Sequence, residues 1–146
     1  MDTLGPLLPH VDYFLPNEDE AQRLTGFSDR QRQVEAFLRH GVHTVVITCG
    51  ATGALAARGQ QRWHGQAHQV QSIDPSGSGD AFAAGIVLGA VRGWETAHTL
   101  QYAAVLGASA TMAIGTTDAV FTAEEARRFL DQHPLPVLQK EVPPCK

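Results

Sequence analysis

Lysine is scarce in this chain, and that scarcity excludes one common kind of phosphate site. Among the 146 residues only Lys140 and Lys146 occur, both near the C-terminus. A P-loop of the form GxxxxGK(S/T) needs a lysine inside the loop, so no glycine-rich segment here qualifies. The net charge of −4 also argues against nucleic acid as a main partner, because phosphate backbones need clustered cations.

Cysteine and long apolar runs are lacking too. Cys49 and Cys145 alone make no disulfide framework, so a reducing, cytoplasmic location is expected. The opening MDTLGPLLPHVDYF has neither the basic start nor the apolar run of a signal peptide. The apolar run at residues 81–91 is shorter than the roughly 20 residues that cross a bilayer, so no membrane partner is expected.

Metal-ligating clusters are also missing. The seven histidines come closest together at His40–His43 and His64–His68, and neither pair has an acidic or cysteine partner nearby. A histidine metal site would need such further ligands. The histidines are therefore interpreted as surface residues.

Short apolar segments alternate with helical patterns along the chain. Helices are predicted at residues 18–25, 30–40, 81–91, 95–113 and 123–132. Strands are predicted at residues 11–15, 43–49, 54–58, 61–65 and 68–73, the third and fourth forming a hairpin around Gly59. This order predicts an α/β fold with a mainly parallel sheet flanked by helices. Residues 1–133 would form the domain, and the proline-containing residues 134–146 a flexible tail.

The segment DPSGSGDAFAAGIV, which follows a predicted strand, carries the strongest chemical signal. The backbone N–H groups of Gly77, Ser78 and Gly79 can point into one space at a helix N-terminus and bind an anion without lysine. Asp80 would lie in the first helical turn, where a carboxylate repels a phosphate but can take a proton from an attacking hydroxyl. The alternative is that Asp80 only stabilises the helix dipole.

Two further segments lie at predicted strand ends. In PNEDE, Asn17 and Glu20 have the spacing of a helix capping box. In ITCGATG, Thr48 ends a predicted strand, and Gly50 and Gly53 fit a glycine turn between strands. Both features have this purely structural interpretation when each is taken alone.

The segment DPSGSGDAFAAGIV resembles the C-terminal signature of the ribokinase-like (PfkB-type) carbohydrate and nucleoside kinases, commonly D-T-x-G-A-G-D. Pro75 and Ser78 depart from that pattern, at positions where threonine and alanine are usual. The resemblance implies a ribokinase-like fold with Asp80 as the catalytic base. It also implies that Gly77, Ser78 and Gly79 form the anion hole for the transferring phosphate.

The same resemblance extends to the other two segments. Asn17 and Glu20 match an N-x-x-E motif that places Mg²⁺ and phosphate through water. Thr48, Gly50 and Gly53 match a T-x-G-x-x-G motif beside the ATP. The three motifs occur in the family's order.

Two less specific matches follow from the resemblance. Gly107 lies in the helix TLQYAAVLGASATMAIG, which is similar to the family's small-residue helix under the adenine. Asp74 and Ser76 match the first part of a monovalent cation site, for which K⁺ is the expected ion. The resemblance thus implies ATP and Mg²⁺ as cofactors, with K⁺ as a further one.

The resemblance covers residues 8–132 and only the second half of the family's fold. It implies ATP-dependent phosphoryl transfer to a hydroxyl of a sugar or sugar-like substrate, with the sugar-binding residues and the lid in the other half. The alternative is a truncated, catalytically incompetent module that binds nucleotide or a partner chain. The expected macromolecular partner is a second copy, giving a homodimer, or the missing N-terminal half.

Overall fold

The computed structural model describes residues 4–142 and contains helices and strands in alternation. The helices α1 to α5 span Glu18–Thr25, Arg30–Arg39, Ser78–Arg92, Thr96–Ala110 and Ala123–Gln132. The strands β1 to β5 span Tyr13–Phe14, Thr44–Thr48, Ala54–Arg58, Gln61–Gly65 and Val137–Glu141. The predicted α/β class, with a sheet and flanking helices, is confirmed.

The five strands form one sheet in the order β1-β2-β3-β4-β5. The pair β1–β2 is parallel, with Tyr13 opposite Thr44, whereas β2–β3 is antiparallel, with Val45 opposite Ala57. The connection from β1 to β2 runs through α1 and α2, as a parallel pair requires, but only a short turn joins β2 to β3. The sheet is therefore mixed in this part of the chain, where a mainly parallel sheet was expected.

The chain divides into two compact units that interleave along the sequence. Within residues 4–142, the first comprises residues 4–49, 54–64 and 139–142, and the second comprises residues 50–53 and 65–138. The first unit contains α1, α2 and most of the sheet, and the second contains α3, α4 and α5. The single domain expected for residues 1–133 stays a prediction.

The core of the first unit forms between α2 and the sheet. Val34 and Phe37 of α2 and Val45 and Ile47 of β2 are completely buried. The ring of Phe37 meets that of Phe14 edge to face, with the centroids 4.9 Å apart. The i, i+3 spacing of Val34 and Phe37, which predicted α2, is what puts both side chains on the buried face.

In the second unit, small residues let α3 and α4 come into close contact. A β-carbon added at Gly85 of α3 would stand 2.6 Å from the Cα of Ala103 in α4. One added at Gly89 would collide with the side chain of Thr99. Because real β-carbons do not approach other atoms so closely, these glycines set the distance between the two helices.

Two sequence expectations differ from the structure. Residues 68–73 form no strand, because the N–H groups of Ile73 and Asp74 donate to the carbonyl oxygen of Thr111, at 2.7 and 3.2 Å, after the end of α4. Residues 137–141, within the expected tail, form β5, and residues 143–146 of that tail lie outside the described residues. Both described prolines of this segment precede β5, so every residue of the strand has an N–H group to donate.

None of the helices within residues 4–142 combines the length and the apolar character that crossing a membrane requires.

Candidate active site

The loop before α3 makes a sharp turn that only glycine accommodates. Gly77 is the N-cap residue of α3 and has the left-handed backbone angles φ 78° and ψ −8°. A β-carbon there would meet the carbonyl oxygen of Thr116 and stand 2.8 Å from its Cα. Both the backbone angle and the space therefore exclude a side chain at this position.

The start of α3 presents backbone donors without protein acceptors. The Ala81 N–H donates to the Gly77 carbonyl at 2.9 Å, and the Ser78 N–H reaches the Pro75 carbonyl at 3.3 Å. Among residues 4–142, no acceptor is bonded to the N–H groups of Gly77, Gly79 or Asp80. A β-carbon at Gly79 would find no atom within 4 Å, so the space beside this turn is open. Free donors at the N-terminus of a fifteen-residue helix can bind an anion.

Asp80 is exposed in the first turn of α3, beside these donors. Within the described part of the chain its carboxylate has no hydrogen-bond or ion-pair partner. A carboxylate in this position is free to accept a proton from a ligand hydroxyl held at the same turn. Its position is also that of an acid stabilising a helix N-terminus, so geometry alone is compatible with both interpretations.

Asp74 links the loop to a distant part of the chain. Its Oδ1 accepts a hydrogen bond from the Ser76 N–H at 2.9 Å, and its Oδ2 accepts one from the Gly115 N–H at 3.3 Å. The bonds from the Ser76 N–H and hydroxyl, and then that from Gly115, hold the pKa of Asp74 below its usual value. The carboxylate is therefore ionised at neutral pH, and each oxygen keeps lone pairs for a cation.

Gly107 lies where α4 meets the start of α3. It is buried, and a β-carbon on it would stand 3.2 Å from the Ser78 carbonyl oxygen and 3.3 Å from the Cβ of Phe82. This position gives Gly107 a packing role between two helices. Its contact with a nucleotide stays a prediction.

The segment after β2 is a tight turn, as predicted. Residues Gly50–Thr52 form a short 3-10 helix, and the Gly53 N–H donates to the Gly50 carbonyl at 3.0 Å. Gly53 has a φ of 100°, and a β-carbon on it would collide with the carbonyl oxygen of Gly65. Gly50 itself is exposed, so its backbone is accessible to a ligand.

In the first unit, the structure brings Asn17, Glu20 and Thr48 together. The Asn17 side chain accepts from the Glu20 N–H, and the Glu20 carboxylate accepts from the Asn17 N–H, each at 2.9 Å. Asn17 also forms a parallel β-bridge with Thr48. The capping-box prediction is confirmed, and it uses Asn17 Oδ1 and Glu20 Oε2. The Asn17 amide nitrogen and the second Glu20 oxygen have no partner among residues 4–142.

A bidentate ion pair beside this motif was missed at the sequence level. Arg30 donates to both carboxylate oxygens of Glu18, at 2.7 and 2.9 Å. The hydrogen bonds from Arg30 hold the pKa of Glu18 below its usual value. Because the partners are twelve residues apart, on different helices, no local spacing could have revealed the pair. Glu18 is one of the acids in the first turn of α1, and the positive charge of Arg30 balances its negative charge.

The expectation that all histidines are surface residues was wrong for His68, which is only 8% exposed. His68 lines a cavity of about 540 Å³ within the second unit. Among the described residues, no group of three or more His, Cys, Asp or Glu side chains is arranged to hold a metal ion. The burial of His68 depends on Phe129, whose ring it contacts edge to face at 5.0 Å and which lies far away in sequence.

The sequence comparisons with known proteins agree on one family. Residues 1–123 match the sequence model described as pfkB family carbohydrate kinase. The chain is 36% identical over 104 residues to the fructoselysine 6-kinase of Shigella flexneri, which covers 69% of this chain and 35% of the relative. It is 31% identical over 130 residues to the ribokinase of Haemophilus influenzae, which covers 86% of this chain and 42% of the relative.

Solved structures agree with these sequence matches. A protein of Escherichia coli described as a ribokinase II, in complex with ATP and Mg²⁺, superposes with a TM-score of 0.83 and 29% identity. The match covers 90% of this chain and 43% of that protein. The chain therefore spans less than half the length of the relatives it matches.

Proposed function

Since the chain belongs to the pfkB family of carbohydrate kinases, we propose that it supplies the nucleotide site and the catalytic base of an ATP-dependent sugar kinase. One observation carries the proposal: the unpaired N–H groups of Gly77, Gly79 and Asp80 surround the turn that also holds the free Asp80 carboxylate. Anion binding and proton removal are the two tasks of phosphoryl transfer to a hydroxyl. Here one turn offers both.

In the proposed mechanism, the free N–H groups of Gly77, Gly79 and Asp80 bind the oxygens of the phosphoryl group being transferred, and the Ser78 N–H, which reaches the Pro75 carbonyl at 3.3 Å, would join them only by giving up that bond. Preorganised donors of this kind stabilise negative charge as it develops, without reorganising. The Asp80 carboxylate accepts the proton of the attacking sugar hydroxyl, so that the oxygen becomes a better nucleophile. The α3 dipole favours the anion, which offsets the repulsion between phosphate and carboxylate.

The residues of this part of the chain fit a Mg²⁺ ion that is bound through water molecules. Mg²⁺ would neutralise part of the triphosphate charge when bound. Asn17 and Glu20 would orient its waters, since each keeps one exposed polar atom that the capping box does not use. Mg²⁺ commonly keeps several waters and few protein ligands, and residues 4–142 contain no cluster that would enclose it directly.

The remaining nucleotide contacts belong to the same proposal. Thr48, Gly50 and Gly53 would lie beside the ATP, and Gly107 under the adenine. Asp74, with Ser76, would hold a monovalent cation such as K⁺, a role supported by the ionised state of the Asp74 carboxylate. Two of the matched relatives are named as kinases of ribose or of a fructose derivative, so a sugar or sugar-like acceptor is proposed here.

A second candidate function is a module that binds nucleotide or a partner chain without turnover. The observation that favours it is coverage, because the chain spans only 35% to 43% of the compared proteins. β1 lies at one end of the strand order, so its outer edge is available for pairing. A second copy of the chain, or an N-terminal half of the fold, is the proposed partner at that edge.

Calorimetry with ATP and Mg²⁺ tests the nucleotide site. We expect weak binding, with a dissociation constant near millimolar, and the same affinity for Asp80→Asn, because this carboxylate acts on the hydroxyl. No heat and no thermal shift up to millimolar ATP would refute the site.

A coupled assay of ADP release over hexoses, pentoses and nucleosides separates the two functions. The chain alone should show no sugar-dependent release, since the groups that hold the acceptor are proposed to lie outside it. Sugar-dependent turnover near the low end of kinase rates, about 1 s⁻¹, would contradict that expectation.

A further inference from the structure

A row of polar side chains crosses the sheet of the first unit where β1 and β2 begin. Tyr13 of β1 is the register partner of Thr44 of β2, and Arg58 of β3 is bonded to both side chains. The Arg58 guanidinium donates from Nε to the Thr44 hydroxyl at 3.0 Å and from Nη2 to the Tyr13 hydroxyl at 3.2 Å. These two bonds fix the orientation of a partly buried cation.

Arg58 has no carboxylate partner among residues 4–142. The ion pair found in that range joins Arg30 to Glu18, and the Nη1 of Arg58 donates to no protein atom there. Because the Tyr13 oxygen already accepts from Arg58, its own O–H can donate to a further acceptor. A guanidinium nitrogen and a neighbouring hydroxyl are thus available as donors, and such a pair suits the two oxygens of a carboxylate.

This polar row is separate from the residues proposed to serve the nucleotide. Tyr13 and Thr44 are the first residues of two parallel strands, whereas Asn17 and Thr48, which form a bridge, follow or end those strands. Four strand residues at about 3.3 Å each put roughly 13 Å between the two ends. The proposed mechanism therefore makes no use of Arg58.

The outer edge of β1 lies beside the polar row. β1 is at the end of the strand order. On the opposite face of the sheet, where Phe14 packs on α2, a groove of about 390 Å³ is lined by Phe14, Leu15, Pro16, Glu20, Arg23 and Leu24. None of these residues belongs to β2 or α2, so the groove opens on the outer side of β1. A strand added at this edge would direct alternate side chains to the groove and to the polar row.

We propose that Arg58 and the Tyr13 hydroxyl bind the carboxylate of an acidic residue in a strand that pairs with the outer edge of β1. This inference rests on the pairing proposed above and narrows the partner to a strand with an acid between two apolar residues. The source is the rest of the fold, since the chain spans less than half of its relatives. A second copy paired through a two-fold axis would put its own Arg58 on the same face, which adds a cation instead of an acid.

Two capped peptides that differ in one side chain test the site: acetyl-TVDVT-amide and acetyl-TVNVT-amide. In both, the valines can face the groove while the central residue faces Arg58. NMR titration of the 146-residue chain should show a preference of about three- to tenfold for the aspartate peptide, the effect of a partly buried, hydrogen-bonded charge pair. Arg58→Gln should bind both peptides equally, and Tyr13→Phe should show a smaller preference. Arg127→Gln, which changes an exposed arginine of α5, is the control and should keep the full preference.

The Arg58 Nε resonance gives a readout in the unaltered chain. The aspartate peptide should shift it, and the Arg127 signal should stay in place. Equal affinity of the unaltered chain for both peptides would overturn the carboxylate site and leave the pairing at β1 standing. Binding of neither peptide would refute the strand as occupant, and if sodium acetate then shifts the Arg58 signal, the site takes a free acid. The nucleotide site is measured separately, by the ATP calorimetry described above.

Discussion

The α-carbon of Gly77 lies so close to Thr116 that a side chain on the glycine would overlap the threonine backbone, with its β-carbon 2.8 Å from the Thr116 Cα. This contact joins the loop before α3 to the segment after α4, both within the second unit. The donors proposed to bind phosphate are therefore positioned by packing as well as by the turn itself.

Gly77→Ala should destabilise the chain and remove its ATP binding. The left-handed backbone angle alone costs roughly 1–3 kcal/mol of unfolding free energy for a residue with a side chain, and the overlap with Thr116 adds to it. Urea unfolding and ATP calorimetry measure the two effects. Gly79→Ala is the matched control, because its β-carbon would meet nothing within 4 Å. It should be neutral or stabilising by up to about 1 kcal/mol, and equal stability of both variants would contradict this account.

Gly85→Ala should destabilise the chain more than Gly107→Ala, although both change a glycine between α3 and α4. The added carbon would stand 2.6 Å from the Ala103 Cα in the first case and 3.2 Å from the Ser78 carbonyl oxygen in the second. The backbone must move for Gly85→Ala, whereas a shift of a few tenths of an ångström suffices for Gly107→Ala. Overpacking costs typically about 1–3 kcal/mol, and thermal unfolding of the two variants gives the order. The reverse order would show that α3 and α4 do not pack as described.

Asn17→Ser separates the capping role of Asn17 from its proposed role toward magnesium. Serine caps a helix about as well as asparagine, so the unfolding free energy should change by less than about 0.5 kcal/mol. The amide nitrogen is lost, however, so ATP affinity should fall in the presence of Mg²⁺ and stay unchanged with EDTA. Asn17→Ala should lose both functions, with a stability loss of about 1 kcal/mol. If ATP binding with Mg²⁺ is the same in Asn17→Ser and the unaltered chain, Asn17 is only a cap.

Asp80→Asn should abolish phosphoryl transfer in a protein that combines this chain with the sugar-binding part of its relatives. Loss of a general base costs about 10²–10⁴-fold in turnover, while ATP affinity and thermal stability should change little. Turnover is measured with saturating sugar and ATP. ATP affinity and thermal stability are measured by titration and scanning calorimetry. Turnover equal to that of the unaltered protein would leave Asp80 as an acid that merely stabilises α3.

Acid should weaken the link between Asp74 and Gly115. The pKa of Asp74 is lowered from its usual 3.8 by bonds present only in the folded state. Its contribution to stability is therefore complete above pH 3.8 and is lost as the pH falls through the folded value. Asp74→Asn should unfold more easily at pH 6 and show a shallower loss of stability below pH 4. Asp131→Asn, at the exposed end of α5, is the control that removes one carboxylate without touching the loop before α3.

Local signals explain which helices could be predicted from sequence. Asn17 and Gly26 bound α1, and the pair Thr122–Glu125 begins α5, because capping involves residues at most a turn apart. The glycine turn before α3 could be predicted for the same reason. Such interactions are complete within the segment, so no distant contact changes them.

Long-range partners explain what the sequence concealed. The alternation in residues 68–73 fits a strand, but its N–H groups near position 73 bond to Thr111 after a helix. Asp74 could be matched to a motif, yet its second bond goes to Gly115. His68 could not be distinguished from a surface histidine without Phe129, and β5 could not be inferred without β4 as its neighbour.

The interleaving of the two units has a consequence for synthesis on the ribosome. The first unit holds strands from before residue 65 together with residues 139–141 of β5. The entire second unit therefore leaves the exit tunnel while β4 still lacks its last neighbour. Domains usually fold in the order in which they are made, but here the part made first is completed last. During that interval the open edge of β4 is the segment that a chaperone would protect.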